Sequence, residues 1–194
     1  MHSFAFGFTV RTQGDGPIAT LSGAALSGTS ETRRGGRGAG YESMALTEAG
    51  NFTALLTIEN GRLAYRSSKA TPVVSSAAAD RQWHQILLSH FTARGETLLF
   101  VDGKLAGTTT ERLEPRHFAL GGPRPADYKD LVVYRSALNA DEAAALAAGT
   151  LLQASMEVYA PLADQQFTAA SAENRAQSLS AVKVSAGQVI HIAQ

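Results

Sequence analysis

Hydrophobic and polar residues alternate along this chain in short runs. Phe4, Phe6, Phe8 and Val10 take every second position, the period of a half-buried strand. Similar runs follow at Ile18–Leu21, Glu42–Leu46, Phe52–Ile58, Arg62–Arg66, Pro72–Ser75, Trp83–Phe91, Thr97–Val101, Lys104–Thr109, His117–Leu120, Lys129–Arg135 and Ser155–Ala160. The pattern is clearest over Trp83–Gly107. A tryptophan opens an apolar run, a Gly-containing turn follows, and a second run ends in Val-Asp-Gly-Lys. This predicts an antiparallel hairpin, which Asp102-Gly103 turns into a third strand. Asn60-Gly61 is a type I′ hairpin signal between two other runs. Many short strands with Gly and Asn turns predict an all-β fold, a two-sheet antiparallel sandwich or jelly roll, and not βαβ units.

One helix interrupts the pattern, Ala140–Ala148. Asn139 can cap it, Glu142 completes a capping box, and Gly149 stands where a left-handed C-terminal cap belongs. Ser27–Gly40 is polar and rich in glycine, which predicts a long mobile loop. Residues 1–160 read as the sandwich and 161–194 as an extension. Its apolar alternations at Leu179–Val184 and Val189–Ile192 are either a strand pair closing the sandwich edge or the start of a linker.

Composition narrows the function classes. A chain of 194 residues can bury one substantial sandwich core. Acidic and basic residues balance at 17 each, so no global field draws nucleic acid or an anionic membrane. The stretch Arg33-Arg34-Gly35-Gly36-Arg37-Gly38 is one short basic copy with Tyr41 as its sole neighbouring aromatic, and reads as a solvated loop. Cysteine is absent, which excludes disulfides and Cys-based zinc sites. No run is long and apolar enough to span a bilayer, and the first residues do not read as a signal peptide. A strand starting almost at residue 1 implies a piece of a longer exported protein.

Several motifs recur in a specific order. Trp83-His84 opens one strand and Val101-Asp102-Gly103-Lys104 closes the next. Gly121-Gly122 follows, then Asp130 before the apolar strand to Tyr134, then Ala137-Leu138 and Glu142. Together they resemble the laminin-G-like, concanavalin A-like jelly-roll modules of bacterial secreted proteins. The resemblance spans Phe4–Gly149. The stretches Met156–Leu162 and Asn174–Leu179 resemble an extension of modules attached to exported bacterial glycan-active proteins. The resemblance implies two stacked antiparallel sheets, a role in attachment or recognition (often of carbohydrate), and a secreted, periplasmic or cell-surface location. It also implies calcium at the sandwich rim of some members. Those members often carry two adjacent acids before the late strand, where this chain has Lys129 and Asp130.

Candidate chemistry is sparse. Glucanases of this architecture carry E-x-D-x-x-E along one strand, which this chain lacks, and there is no G-x-S-x-G or H-E-x-x-H. The chain is therefore expected not to be an enzyme. His84 and His90 share the parity of Ile86 and Leu88, and read as hydrogen-bonded histidines inside the sandwich or at its rim. Trp83 reads as a packing residue at a strand opening. Tyr41, Tyr65 and Tyr128 lie near predicted strand ends, where a ring can meet a ligand, and Arg66 can pair with an acidic sugar. Asp127 and Asp130, with Asp102, are the rim carboxylates available to calcium, the one cofactor considered. Two readings follow, with hydrolysis of glycosides a distant third. One is a non-catalytic carbohydrate-binding or accessory module. The other is a structural spacer packing against a neighbouring domain of its parent protein, motivated by Leu87, Phe91, Leu98 and Phe100 on the second face of the central hairpin.

Overall fold

The computed structural model describes residues 3–34, 40–75, 79–162, 171–178, 180–185 and 188–192. The elements are β1 (Phe4–Arg11), β2 (Gly16–Arg34), β3 (Gly40–Glu59), β4 (Arg62–Ser67), β5 (Val73–Val74), β6 (His84–Phe91), β7 (Glu96–Val101), β8 (Lys104–Thr110), β9 (Leu113–Leu120), β10 (Asp127–Tyr134), α1 (Ala140–Ala147), β11 (Met156–Ala160), β12 (Ser171–Ala172), β13 (Val182–Ser185) and β14 (Gln188–Ile192). They form two antiparallel sheets. One has the order β11-β10-β1-β6-β7-β8, the other β12-β13-β14-β9-β2-β3-β4-β5.

The alternation in β1 sends Phe4, Phe6, Phe8 and Val10 into the space between the sheets. Ile86 and Leu88 stand beside Phe8 and Phe6 on β6, and Leu99 and Val101 continue the row on β7. Phe118, on β9 of the other sheet, meets Phe6 and Phe4 with ring centroids 5.0 and 5.7 Å apart. These aromatic contacts tie the two layers together.

The turns form as their residues dictate. Asn60-Gly61 and Asp102-Gly103 all have positive φ, at 50° and 72° and at 50° and 73°. That pair of signs is the type I′ hairpin turn, which matches the twist of its strands. The helix has its full capping box at Asn139 and Glu142. At its other end Gly149 has φ 88°, its N–H donates to the Leu146 carbonyl, and the Thr150 N–H donates to the Ala145 carbonyl. This is a Schellman closure.

The outer face of the six-stranded sheet carries a second core. Ala5, Leu87, Phe100, Val132 and Tyr134 lie there under Leu138 and the helical residues Ala143 and Leu146. Ser89 fixes the approach to the helix, since its hydroxyl accepts from the Leu138 N–H and donates to the Leu138 carbonyl, both at 2.8 Å. The apolar hairpin face that motivated the spacer reading is therefore covered from within the chain. Leu87 and Phe100 are buried, Leu98 packs against the same cluster, and Phe91 lies half-buried under the Arg94 guanidinium.

Two further expectations change. Residues 27–34 are strand, not loop. β2 and β3 pair as far as Arg34 and Gly40, while β9 accompanies β2 only to Ala25 and β4 accompanies β3 only from Ala54. Beyond Leu26 and Glu48 the hairpin pairs with itself alone, a ribbon of about 27 Å at the usual strand rise. Ser and Thr on β2 were read as loop formers, but a partner strand satisfies their backbone equally well. Residues 35–39, in the basic stretch, lie outside the described residues. At the other end of the chain, β12–β14 extend the second sheet next to β9, and Ala172 and Val182 enter the core. The Asn174 carboxamide caps the open edge of β11, accepting from the Tyr159 N–H at 3.0 Å and donating to the Glu157 carbonyl at 3.1 Å. The described residues of 161–194 are thus part of the sandwich.

Candidate functional site

One corner of the six-stranded sheet has an exposed outer face, where the chain enters β6 beside Arg11 of β1 and Asp127 of β10. It is built by the segment that enters β6. The Asp80 carboxylate accepts from the Gln82 N–H at 2.8 Å, an Asx turn. Arg81 has φ 67° and is pinned there by its N–H donating to the Thr12 carbonyl. A non-glycine residue in this region is held by its surroundings, which cost on the order of 1–3 kcal/mol to impose. His84 then locks the segment. Its Nδ1 contacts Asp102 at 2.8 Å and its Nε2 contacts Asp80 at 3.0 Å. The other Asp102 oxygen accepts from the Gln85 N–H.

Burial depresses the His84 pKa, but hydrogen bonds and charges from Asp102 and Asp80 outweigh it, and the net shift is upward from 6.5. Both ring nitrogens then donate, as an imidazolium requires. Because the folded value is the higher one, this contribution is complete below the unfolded value of 6.5 and is lost as pH rises through the raised one. A proton NMR titration is expected to place the His84 midpoint above 6.5, and Asp102→Asn is expected to lower it. A midpoint below 6.5 would contradict the two-carboxylate clamp.

This clamp presents Trp83, which is 38% exposed. Val10 faces the core opposite His84, so Arg11 and Trp83, each one position along, face outward. The Arg11 guanidinium lies 4.9 Å and the Lys129 ammonium 4.8 Å from the indole centroid. Asp127, opposite Arg11 on β10, holds that guanidinium through Nε and Nη2 at 3.0 and 2.8 Å. Next to them opens a groove of about 380 Å³ lined by Arg11, Gln13, Arg81, Pro125, Ala126 and Asp127. Among the described residues no carboxylate pairs with Arg81, which is exposed.

Of the residues expected from the sequence to meet a sugar, none lines this groove, and of the carboxylates offered to calcium Asp127 does. Tyr65 is fully buried, and its hydroxyl donates to Glu111 Oε1 at 2.6 Å. Its ring shares the inward face of β4 with Leu63, so it has no free surface for a sugar. Arg66 is exposed but committed to Glu59 through two 2.5 Å bonds. Tyr128 is half-buried, packs on Phe8, and donates to the Ile18 carbonyl at 2.9 Å. The Tyr41 backbone pairs with Arg33 in the ribbon, and its side chain lies outside the described residues.

Asp130 is the bulge residue of β10, with φ 54°. Three steps from Lys129 to Val132 oppose two from Thr9 to Gly7. Burial raises its pKa, and the neighbouring Lys129 charge opposes that rise. Asp127 is bonded to the Arg11 guanidinium, Asp130 lies near the Lys129 charge, and among the described residues no group of three or more His, Asp or Glu is placed to hold a metal ion. Asp102 spends both oxygens on the His84 clamp.

In the sequence Glu111 and Glu114 flank a turn-like segment and do not read as a catalytic pair, and the structure gives Glu111 a different, buried role. It is 6% exposed between β8 and β9, and its Oε1 accepts from both Tyr65 and the Thr97 hydroxyl. Thr97 in turn accepts from His90 Nδ1 at 2.9 Å, because the Leu113 N–H donates to Nε2 and fixes the tautomer. Burial first, and the Glu111 charge second, push the Tyr65 pKa up. This network lies inside the sandwich and is closed to substrate. Nothing local in the sequence marks Glu111, since its partners are 14 and 46 residues away.

No protein-family model matches the chain, and neither does any curated protein. Among solved structures, the chain resembles a protein from Bacteroides ovatus whose name proposes carbohydrate binding. Identity is 12% over the whole of this chain and 60% of that protein, with a TM-score of 0.55. It also resembles Trypanosoma rangeli sialidase, at 19% identity, covering 75% of this chain and 22% of that one (TM-score 0.47). A third is domain 4 of the extracellular GH43 arabinanase AbnA from Geobacillus stearothermophilus in complex with arabinotriose. Identity there is 14%, with 76% and 68% covered and a TM-score of 0.44. The chain thus spans three fifths of the first of these proteins. At such identities the likeness establishes the sandwich fold and nothing about the ligand. No helix of the described residues is long and apolar enough to cross a membrane.

Proposed function

We propose that this chain is a non-catalytic, laminin-G-like carbohydrate-binding module of an exported bacterial glycan-active protein, and that it holds its ligand at the Trp83 corner. One observation carries the reading. The chain's single tryptophan is 38% exposed and sits beside a groove, on the outer face of the six-stranded sheet. An indole offers apolar area with little rotamer entropy to lose, which suits it to the CH-rich face of a sugar. Arg11, Gln13 and Asp127 supply donors and acceptors for hydroxyls at the groove. The likeness to the Bacteroides ovatus protein supports the same reading at the level of fold. A shallow site of this kind binds weakly, and tethering to a neighbouring domain raises its effective concentration.

The lone tryptophan makes the test direct, because fluorescence excited beyond the tyrosine absorption reports on this ring alone. Titration with a glycan identified on an array is expected to shift the emission. Trp83→Ala is expected to weaken calorimetric affinity about tenfold or more, in line with about 1–3 kcal/mol for a stacked aromatic anchor. Equal affinity in Trp83→Ala, with unchanged emission of the natural chain at saturation, would place the ligand elsewhere.

A further inference from the structure

Resting on that reading, we infer that the sugar taken at the Trp83 corner is anionic, bearing a carboxylate or a sulfate ester, with Arg81 as its counter-ion. The corner holds three cations, Arg11, Arg81 and Lys129. Two are already engaged, since Asp127 grips Arg11 and Lys129 sits over the indole ring. Arg81 has no carboxylate partner among the described residues, although Asp80 is adjacent in sequence. That carboxylate is spent on the Gln82 N–H and on His84.

The backbone of Arg81 is also ordered before any ligand arrives. Its left-handed conformation is fixed by the Thr12 carbonyl on one side and the Asp80–His84–Asp102 clamp on the other. An arginine held in this way loses less freedom when it forms a bidentate pair with an oxyanion. Arg11 lines the same groove, with its guanidinium held by Asp127. A neutral sugar would leave the Arg81 charge with water alone. An anionic one adds a charge-assisted pair beside the stacking ring.

The test titrates the full chain with oligogalacturonate, a sulfated galactan oligomer and a neutral galactan oligomer of equal length. Calorimetry and Trp83 emission are the readouts. The expected result is about tenfold tighter binding of an anionic oligomer than of the neutral one, shrinking as salt rises from 50 to 500 mM. The arm that binds tells carboxylate from sulfate, and either supports the inference. Arg81→Gln is expected to lower the anionic affinity about tenfold. Arg81→Lys should fall between, and Arg66→Gln, on the other sheet and paired with Glu59, should change nothing. Thermal melts of each variant separate a binding loss from a folding loss. Equal affinity for all three oligomers, untouched by Arg81→Gln, would overturn the inference and leave the glycan module standing. No response to any glycan on a broad array would remove the module reading itself.

Discussion

Phe6→Ala is expected to cost about 3–5 kcal/mol, the range for removing a buried aromatic ring from a packed core. Phe6 is fully buried on β1, which has two strands of its sheet on one side and three on the other. It lies between Leu88 on β6 and Val133 on β10, with its ring 5.5 Å from Phe8 and 5.0 Å from Phe118. The Phe118 contact crosses from one sheet to the other. Truncation therefore removes apolar area and also opens a void at the meeting of the layers. The backbone there is held by ladders on both sides, so the void cannot collapse easily. For a chain of this length the loss corresponds to a fall in melting temperature of about 10 °C. Urea denaturation with an unchanged slope gives the measurement. Leu105→Ala is the control, since Leu105 is 54% exposed on an edge strand and should change stability by no more than about 0.5 kcal/mol. A loss below about 1 kcal/mol for Phe6→Ala would mean that the two sheets do not face each other across this ring.

The layers, turns and helix were legible because local physics decides them. A dipeptide such as Asn60-Gly61 adopts positive φ whatever surrounds it, and the period of β1 marks its buried face without reference to a partner. The site was not legible in the same way. Arg11 and Asp127 are 116 residues apart, and only the register of β1 against β10 brings them together. Trp83 was read as packing because it opens a strand. Its exposure depends on which part of the outer face the rest of the chain covers, which no local pattern encodes.

Tyr65 is a different case. The alternation of Leu63 and Tyr65 between exposed Arg62 and Arg66 already marks the ring as inward-facing, so its burial was readable and was passed over in favour of its nearness to a strand end. Arg66 looked free because its partner Glu59 belongs to the preceding strand, across the Asn60-Gly61 turn. The ribbon was missed for a compositional reason. Ser, Thr and Arg over 27–34 lack an apolar alternation, and pairing with β3 carries that strand without one.

Acid is expected to destabilise the fold through His90, by up to about 3 kcal/mol between pH 6.5 and 4. Burial first, and the Arg112 charge second, push the His90 pKa down from 6.5 to about 4. The ring is neutral in the fold. Its Nδ1–H is committed to Thr97, and its Nε2 lone pair accepts from the Leu113 N–H. A second proton would have to go on Nε2, breaking that bond at a fully buried ring. Over this window the unfolded chain binds the proton and the folded chain does not. Stability therefore falls as pH falls from 6.5, and the full contribution of the neutral ring is present above that value. His84 has the opposite sign, since its contribution is lost as pH rises. The two are told apart by His90→Gln, whose amide oxygen can still accept from Leu113 and does not titrate between pH 4 and 6.5. Denaturation free energies of the two proteins, measured every half unit of pH, should differ by a constant amount above pH 6.5, and between 6.5 and 4 the natural protein should lose up to about 3 kcal/mol relative to His90→Gln. The carboxylates common to both cancel in the difference. Parallel curves across this window would mean that His90 takes up its proton as readily in the fold as in the unfolded chain, and the buried chain from His90 through Thr97 to Glu111 and Tyr65 would then have to be open to water.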